Sequence, residues 1–369
     1  MKVAFLHFYT FRLLRGIETL IVSFANQLVA KGVEVSILAA RGTLERTLIP
    51  VDQRVQVKQF PTVRYYEHFT VVPWYVWDLI RNHYDIVNIF FADFGEAAAL
   101  RLASRFVDFR LNLYFCYPLD AVPHRFKSFT KCHLDKMATL FLGDSSYVAE
   151  GVEAFFHRPC IVVPVGTDTQ RFKPDEAKRA ETRAELGIQP DEVVLLNVSE
   201  LEERKGTGRV VESLPYVREK FPLTRFLILG KGDCRERLEK RVEELRLTPW
   251  VNFLGTTTEL PRFYNAADIF VMVPDKEANS IACHEAMACG LPVIVSNSGG
   301  FQEVVDDTCG RIVNAQSRDE IVGAILELAA SGMLREQLGS QGRKRIEERL
   351  TWDVQSDRLL EVFRKELES

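Results

Sequence analysis

Short runs of β-branched and aromatic residues alternate with stretches of helical apolar spacing along almost the whole chain. This is the order of βαβ units around a parallel sheet. The first unit runs Val3–Phe8, a turn, then a helix from about Thr19 whose apolar face is Leu20, Ile21, Phe24, Ala25, Leu28 and Val29. Lys31-Gly32 stops it, and Val33–Leu38 is the second strand. Further strands are predicted at Val55–Phe60, Ile86–Phe91, Leu111–Phe115, Leu140–Gly143 and Ile161–Val163. The alternation then breaks. Pro164, Gly166, Pro174, Gly187 and Pro190 surround one charged helical stretch, which reads as a linker over 166–190. A second series follows at Val193–Val198, Arg225–Leu229, Val251–Leu254, Ile269–Met272, Val293–Val295 and Arg311–Val313. Among its helices, Arg235–Leu245 turns Leu238, Val242 and Leu245 inward. The pattern predicts an α/β protein of two doubly wound, Rossmann-like domains, 1–165 and 191–348, facing a central cleft at the carboxyl ends of their strands.

Composition narrows the function classes. Of 369 residues, 47% are apolar and 27% charged, the balance of a soluble globular protein. A net charge of −4 argues against a dedicated nucleic-acid binder, which needs clustered Lys and Arg. Residues 1–165 hold 18 Lys+Arg against 15 Asp+Glu, whereas the remainder holds 29 against 36. A phosphate bound by the acidic second half must therefore rely on local donors. The seven cysteines are scattered without a C-x-x-C pair, which fits reduced thiols in a cytoplasmic protein. The Cys132-His133 and Cys283-His284 pairs lack the ligand spacing of zinc sites. No segment reaches the roughly 20 apolar residues of a membrane span.

The densest chemistry lies in DKEANSIACHEAMACGLPVIV, residues 275–295. Glu277 follows a strand and precedes a helix expected to begin near Asn279 or Ser280. The backbone N–H groups of Asn279, Ser280 and Ile281, next to Ala278, would then form a helix N-terminus open to an anion. Glu285 can accept hydrogen bonds from ribose hydroxyls, and Glu277 can orient those of a sugar. Two glutamates at this spacing are common on solvated helices. The context of Ala286, Met287, Ala288 and Gly290-Leu291-Pro292 instead suits a helix packed tightly on a sheet beneath a ligand.

This segment resembles the donor motif of the retaining glycosyltransferases of family 4, which have the GT-B fold. Other stretches resemble the family in the same order: 15–35, 144–152, 163–174, 227–239, 251–255, 264–273, 298–305 and LTWDV at 350–354. The resemblance implies that 349–369 is a helix crossing back to the first domain. It places Gly16 in the loop that approaches donor phosphates and acceptor. Lys205 would pair with the diphosphate and stabilise charge on the leaving group. Phe253 and Leu254 would line the base slot, although strand core explains their side chains equally well. Ser298-Gly299-Gly300 would form a tight turn beside the site. Retention would proceed without a settled enzymic nucleophile, the departing phosphate helping to deprotonate the acceptor, and neither metal nor cofactor is implied.

Two positions depart from that pattern. Glu200 stands where the family commonly has an arginine, so either Glu200 turns away and Arg204 supplies the second positive charge, or the leaving group is handled differently. Cys116 and Tyr117 stand where the family often has a histidine; Tyr117 is a candidate contact to the sugar or acceptor. The first domain would receive the acceptor. Its segment 64–81 is rich in aromatics, and Val72, Val76, Leu79 and Ile80 predict one buried helix face there with aromatics packed around it. Segment 124–136 interleaves basic and aromatic residues. Either segment would also suit sugar stacking or peripheral contact with anionic lipid at the inner face of a membrane. The expected activity is transfer of a hexose from a UDP- or GDP-sugar to a saccharide, lipid-linked or small-molecule acceptor in polysaccharide or glycoconjugate biosynthesis. A sugar-nucleotide epimerase and a non-catalytic sugar-nucleotide-binding partner are the rival expectations.

Overall fold

Each strand predicted from the hydrophobic pattern is present, with its ends moved by no more than a residue or two; Phe91, the predicted end of one, lies outside the described residues. The computed structural model describes residues 1–12, 16–42, 49–90, 94–118 and 133–369. It divides into two units, Met1–Gly166 with Trp352–Ser369, and Thr167–Thr351. Most of segment 124–136 and Cys132 lie outside the described residues.

In the first unit, β1 (Lys2–Leu6) leads to α1 (Gly16–Ala30), β2 (Glu34–Ala40) and β3 (Gln56–Phe60). Then come α2 (Glu67–Thr70), α3 (Val72–Asn82), β4 (Ile86–Ile89), α4 (Phe94–Ala103) and β5 (Arg110–Phe115). After these come α5 (Leu134–Met137), β6 (Leu140–Gly143), α6 (Ser146–Phe156) and β7 (Cys160–Val162). The sheet is parallel, in the order β3-β2-β1-β4-β5-β6-β7. Helices cover both faces, so β1, β2 and β4 read as nearly continuous apolar runs. Helix α1 begins at Gly16, one turn before its predicted start, because Ile17 and Glu18 are already buried. Gly32, with φ of 82°, ends it.

The second unit contains α7 (Glu176–Glu185), β8 (Val193–Val198), α8 (Thr207–Lys220), β9 (Thr224–Leu229), α9 (Arg235–Glu244) and β10 (Val251–Gly255). It continues with α10 (Leu260–Ala266), β11 (Ile269–Met272), α11 (Ile281–Ala288), β12 (Val293–Ser296), β13 (Gly310–Val313), α12 (Arg318–Ala330) and α13 (Gly332–Arg349). Its sheet is also parallel, ordered β10-β9-β8-β11-β12-β13. The direction of winding reverses between β8 and β11, where loops leaving neighbouring strands part and a ligand can enter.

The chain ends in α14 (Trp352–Glu368), which belongs to the first unit. A run of rings ties it to the sheet: Trp352 meets Phe24 at 5.4 Å, Phe24 meets Tyr114 at 6.2 Å, and Tyr114 meets Phe90 at 5.3 Å. Asn112 of β5 donates to Glu366 at 2.7 Å at the helix's far end.

Two expectations are corrected. Residues 167–190 are not a free linker but part of the second unit. Phe172 and Ile188 enter its core, and Arg179 and Arg183 of α7 both bind Asp268, at 2.7 and 3.2 Å. The Pro and Gly residues there shape turns of a packed segment. Helix α3 is also rotated from its expected setting. Val71, Tyr75, Asp78 and Leu79 are buried, whereas Trp74 and Trp77 face out. Asp78 fixes that rotation, since Lys58 and Tyr84 bind it at 2.9 and 2.8 Å from below. A buried carboxylate costs several kcal/mol unless paired, so this contact outweighs the burial of two indoles.

Candidate donor site

The loops leaving β8 and β11 flank the reversal point of the second sheet, and they are laced together by backbone. Asp275 N–H donates to the Arg204 carbonyl at 2.8 Å. Arg209 bridges the Val273 carbonyl at 2.9 Å and Asp275 at 2.5 Å. Gly206 sits at φ of 75°, and a Cβ there would lie 2.0 Å from the Val273 carbonyl oxygen, so only glycine allows the approach. Inside the sheet, Asn197 donates to the Val271 carbonyl at 2.8 Å and accepts from Ser199 and Thr207 at 2.8 and 3.2 Å.

This lacing brings two of the predicted residues together. Lys205 Nζ lies 2.5 Å from Glu277 Oε2, both side chains mostly buried. The carbonyl of Glu277 accepts from Gly300 N–H at 3.0 Å, and Gly299, at φ of 70°, would place a Cβ 1.8 Å from the same oxygen. The Gly299-Gly300 turn thus fixes the Glu277 backbone from the opposite side.

Helix α11 starts at Ile281, later than expected. Ser280 is its cap, accepting from Cys283 N–H at 3.2 Å. The first-turn donors without an intrahelical acceptor are therefore Ile281 and Ala282, while Asn279 lies ahead of the turn. Ala278 is buried beneath this entry.

Glu285, on the second turn, is almost completely buried. The Tyr264 hydroxyl lies 2.9 Å from its Oε2 and 3.1 Å from the Ala282 carbonyl. Burial pushes the Glu285 carboxyl up to about 7; the Tyr264 hydrogen bond and the Arg171 charge pull it down, and Asp168 pushes it up. Neighbouring His284 has no partner for its buried Nδ1, and burial lowers its imidazole to about 4.

Other predicted residues fall elsewhere. Arg204 is held by Glu202 at 2.8 Å and faces Glu200 at 4.0 Å, so its charge is already matched by two carboxylates. Phe253 and Leu254 are half-buried on the edge strand β10, and each packs against the hydrophobic core on its own face of the sheet. Gly16 opens α1 and Tyr117 follows β5; both belong to the first unit. Among the described residues, no three His, Cys, Asp or Glu side chains gather as a metal-binding group.

Sequence reasoning missed Tyr264 and Arg171. Neither stands near Glu285 in the chain, and only the placement of α10 beside α11 brings the tyrosine to the carboxylate.

Comparison with known proteins now bears on both units. The model of glycosyl transferases group 1 matches residues 178–345, and that of Glycosyltransferase Family 4 matches residues 14–171. A GDP-mannose-dependent alpha-(1-6)-phosphatidylinositol monomannoside mannosyltransferase of Mycobacterium tuberculosis is 35% identical over 214 residues, 55% of this chain and 55% of that protein. A D-inositol 3-phosphate glycosyltransferase of Segniliparus rotundus is 29% identical over 215 residues, 56% of this chain and 47% of its own. The chain thus spans about half the length of the curated relatives it matches. Anabaena HepE in complex with UDP-glucose superposes with a TM-score of 0.84 at 17% identity, covering 99% of this chain and 100% of that one. Sucrose-phosphate synthase of Thermosynechococcus elongatus gives 0.82 at 20% identity, covering 99% and 98%. Likeness at that identity speaks for the fold. With one family model matching on each unit and the GT-B fold shared along the whole length, the chain is similar to the GT-B glycosyltransferases of the family 4 type.

Proposed function

We propose that the protein transfers a hexose, with retention, from a UDP- or GDP-sugar to a hydroxyl of a saccharide, lipid-linked or small-molecule acceptor. The observation that carries this reading is the Lys205–Glu277 pair, held at the reversal point of a parallel sheet beside the open first turn of α11. The N–H groups of Ile281 and Ala282 and the Lys205 ammonium would receive the diphosphate. Glu285 would accept from the ribose hydroxyls, and Glu277 would orient the sugar. Phe253 and Leu254 would offer backbone to the base, because their side chains are engaged in the core.

In the reaction, the bond from the anomeric carbon to the diphosphate oxygen breaks. A bond to the acceptor oxygen forms on the same face, and the acceptor proton passes to the departing diphosphate. Lys205 would match the negative charge that grows on the leaving oxygen. Freed of Lys205 by the incoming phosphate, Glu277 could turn its carboxylate to the sugar hydroxyls. No metal or cofactor is assigned a step.

GDP-mannose is the first donor to try, since several relatives are named for it. We place the activity in the cytoplasm, in polysaccharide or glycoconjugate assembly. No described helix is long and apolar enough to cross a membrane. The test is release of nucleoside diphosphate from a panel of UDP- and GDP-sugars with and without acceptor alcohols, with the product's anomeric configuration read by NMR. Acceptor-dependent release with a retained anomer, in the presence of chelator, supports the reading. Interconversion of the donor without release would assign the site to an epimerase. Binding without turnover would leave a sugar-nucleotide-binding partner.

A further inference from the structure

The Lys205–Glu277 pair joins two loops that leave neighbouring strands, and the gap between those loops is set below them. Strands β8 and β11 pair at Leu195–Ile269 and Leu196–Phe270 and part beyond. Each continues on its outer side, β8 with β9 through Val198 and β11 with β12 through Met272. The residue at the fork is Asn197, which is completely buried. Its Nδ2 donates to the Val271 carbonyl at 2.8 Å, across the point where the ladder stops. Its Oδ1 accepts from Ser199 at 2.8 Å and from Thr207 at 3.2 Å, and those two hydroxyls lie 3.4 Å apart. Thr207 opens α8 two residues after Lys205. One amide thus ties both strands and the start of the helix to a single point.

We infer that Asn197 is a positioning residue: it spaces the loops leaving β8 and β11 and thereby holds Lys205 against Glu277. The chemistry of its surroundings favours this over a role in stability alone. Leu195, two residues earlier on the strand, packs in an apolar core with Val210, Val211, Ile269 and Val271. A leucine at 197 would continue that core. A buried amide gains little over one, because its hydrogen bonds only replace those it made with water. What the amide adds is direction, since a fully bonded polar group in the interior accepts one geometry. The ties higher up, from Arg209 to the Val273 carbonyl and from Asp275 N–H to the Arg204 carbonyl, start from strands that Asn197 has already spaced.

The consequence for transfer rests on the donor reading above, and the experiment separates the two. In the full chain without nucleotide, brief labelling with acetic anhydride and mass spectrometry compares Lys205, whose side chain is mostly buried, with the exposed Lys344. Thr207→Val keeps the shape and removes one donor to Asn197. The Lys205-to-Lys344 labelling ratio should then rise about fivefold, the worth of one neutral hydrogen bond. Thr207→Ser keeps the hydroxyl and should restore the wild-type ratio. Asn197→Leu removes all three bonds and should raise the ratio further; if it fails to fold, the Thr207 variants still decide. Amide exchange in β12 and β13 should stay unchanged, because a merely structural role would loosen the whole sheet. Calorimetry should show UDP or GDP, whichever the wild type binds, weakened by about the same factor in Thr207→Val. A ratio that Thr207→Val leaves unchanged, or that Thr207→Ser fails to restore, overturns the inference, as does loosening of β12 and β13 in step with Lys205. A wild type that binds neither nucleotide overturns the donor reading instead, and the labelling ratios still judge Asn197.

Discussion

Glu285 is predicted to govern donor affinity through a titration near neutral pH. Its carboxyl moves from an ordinary 4.5 to about 7, chiefly through burial. That shift corresponds to about 3 kcal/mol between the two protonation states. The groups that face it are Tyr264, which donates to it, Arg171, which favours its charge, and Asp168, which opposes it. Ribose hydroxyls would donate to the ionised form. Affinity for UDP or GDP should therefore be complete above about pH 8 and half-lost near 7, falling to about a tenth at pH 6. Stability moves the other way. Between about pH 4.5 and 7 the native state holds a proton that the unfolded chain releases, so this group's contribution is present at low pH and lost as pH rises through that window. Weaker binding at pH 6 thus cannot be ascribed to unfolding caused by this group. Calorimetric titration of both nucleotides across the window measures the effect, with Glu285→Gln as the control expected to give a flat profile. Tyr264→Phe removes a hydrogen bond to a charged group, worth about 1.5–3 kcal/mol, and should raise the midpoint by about one to two pH units. A flat wild-type profile, or one that Glu285→Gln retains, would refute the reasoning.

Three further outcomes are expected. Lys205→Ala should weaken the bare nucleoside diphosphate by about tenfold or more, in line with a charge-assisted contact of about 1.5–3 kcal/mol, and unchanged affinity in calorimetry would remove Lys205 from the phosphate. Gly299→Ala puts a side chain onto the Glu277 carbonyl at positive φ, so turnover should collapse while circular dichroism stays native; near-normal rates would show that this turn does not position Glu277. Asp268→Ala takes the carboxylate from Arg179 and Arg183, leaving them only backbone carbonyls, and removes an acceptor from the Val194 N–H. It should destabilise the second unit by about 3–5 kcal/mol, read by urea denaturation, and proteolysis should begin within 167–190.

The strands were legible because both sheets are parallel and covered on two faces, which forces apolar runs such as Val3–Leu6 and Ile269–Met272. The Glu277–Glu285 segment was legible for a related reason: its small residues are those a helix needs to lie close on a sheet. What stayed hidden depended on charged residues that meet only after folding. Arg179 and Arg183 looked like solvated helix positions, yet Asp268 draws them in and turns an expected linker into part of a unit. Val72, Val76 and Ile80 looked like the buried stripe of α3 beside Leu79, yet Lys58 and Tyr84 hold Asp78 inside and rotate the helix. Arg204 stood as one of two readings for a second positive charge, and the carboxylates beside it, Glu202 at 2.8 Å and Glu200 at 4.0 Å, were not legible in the sequence. Hydrophobic periodicity carries no information about such pairs, because it ranks every charge as exposed.

The return of α14 to the first unit sets an order for biosynthesis. The second unit is one unbroken stretch, Thr167–Thr351, whereas the first needs both Met1–Gly166 and Trp352–Ser369. A ribosome therefore delivers every residue of the second unit before the first can be finished. Until Leu359, Leu360 and Phe363 emerge, the surface that buries them remains open to water. During that interval the nascent first unit exposes apolar surface open to wrong partners, although its sheet was synthesised first.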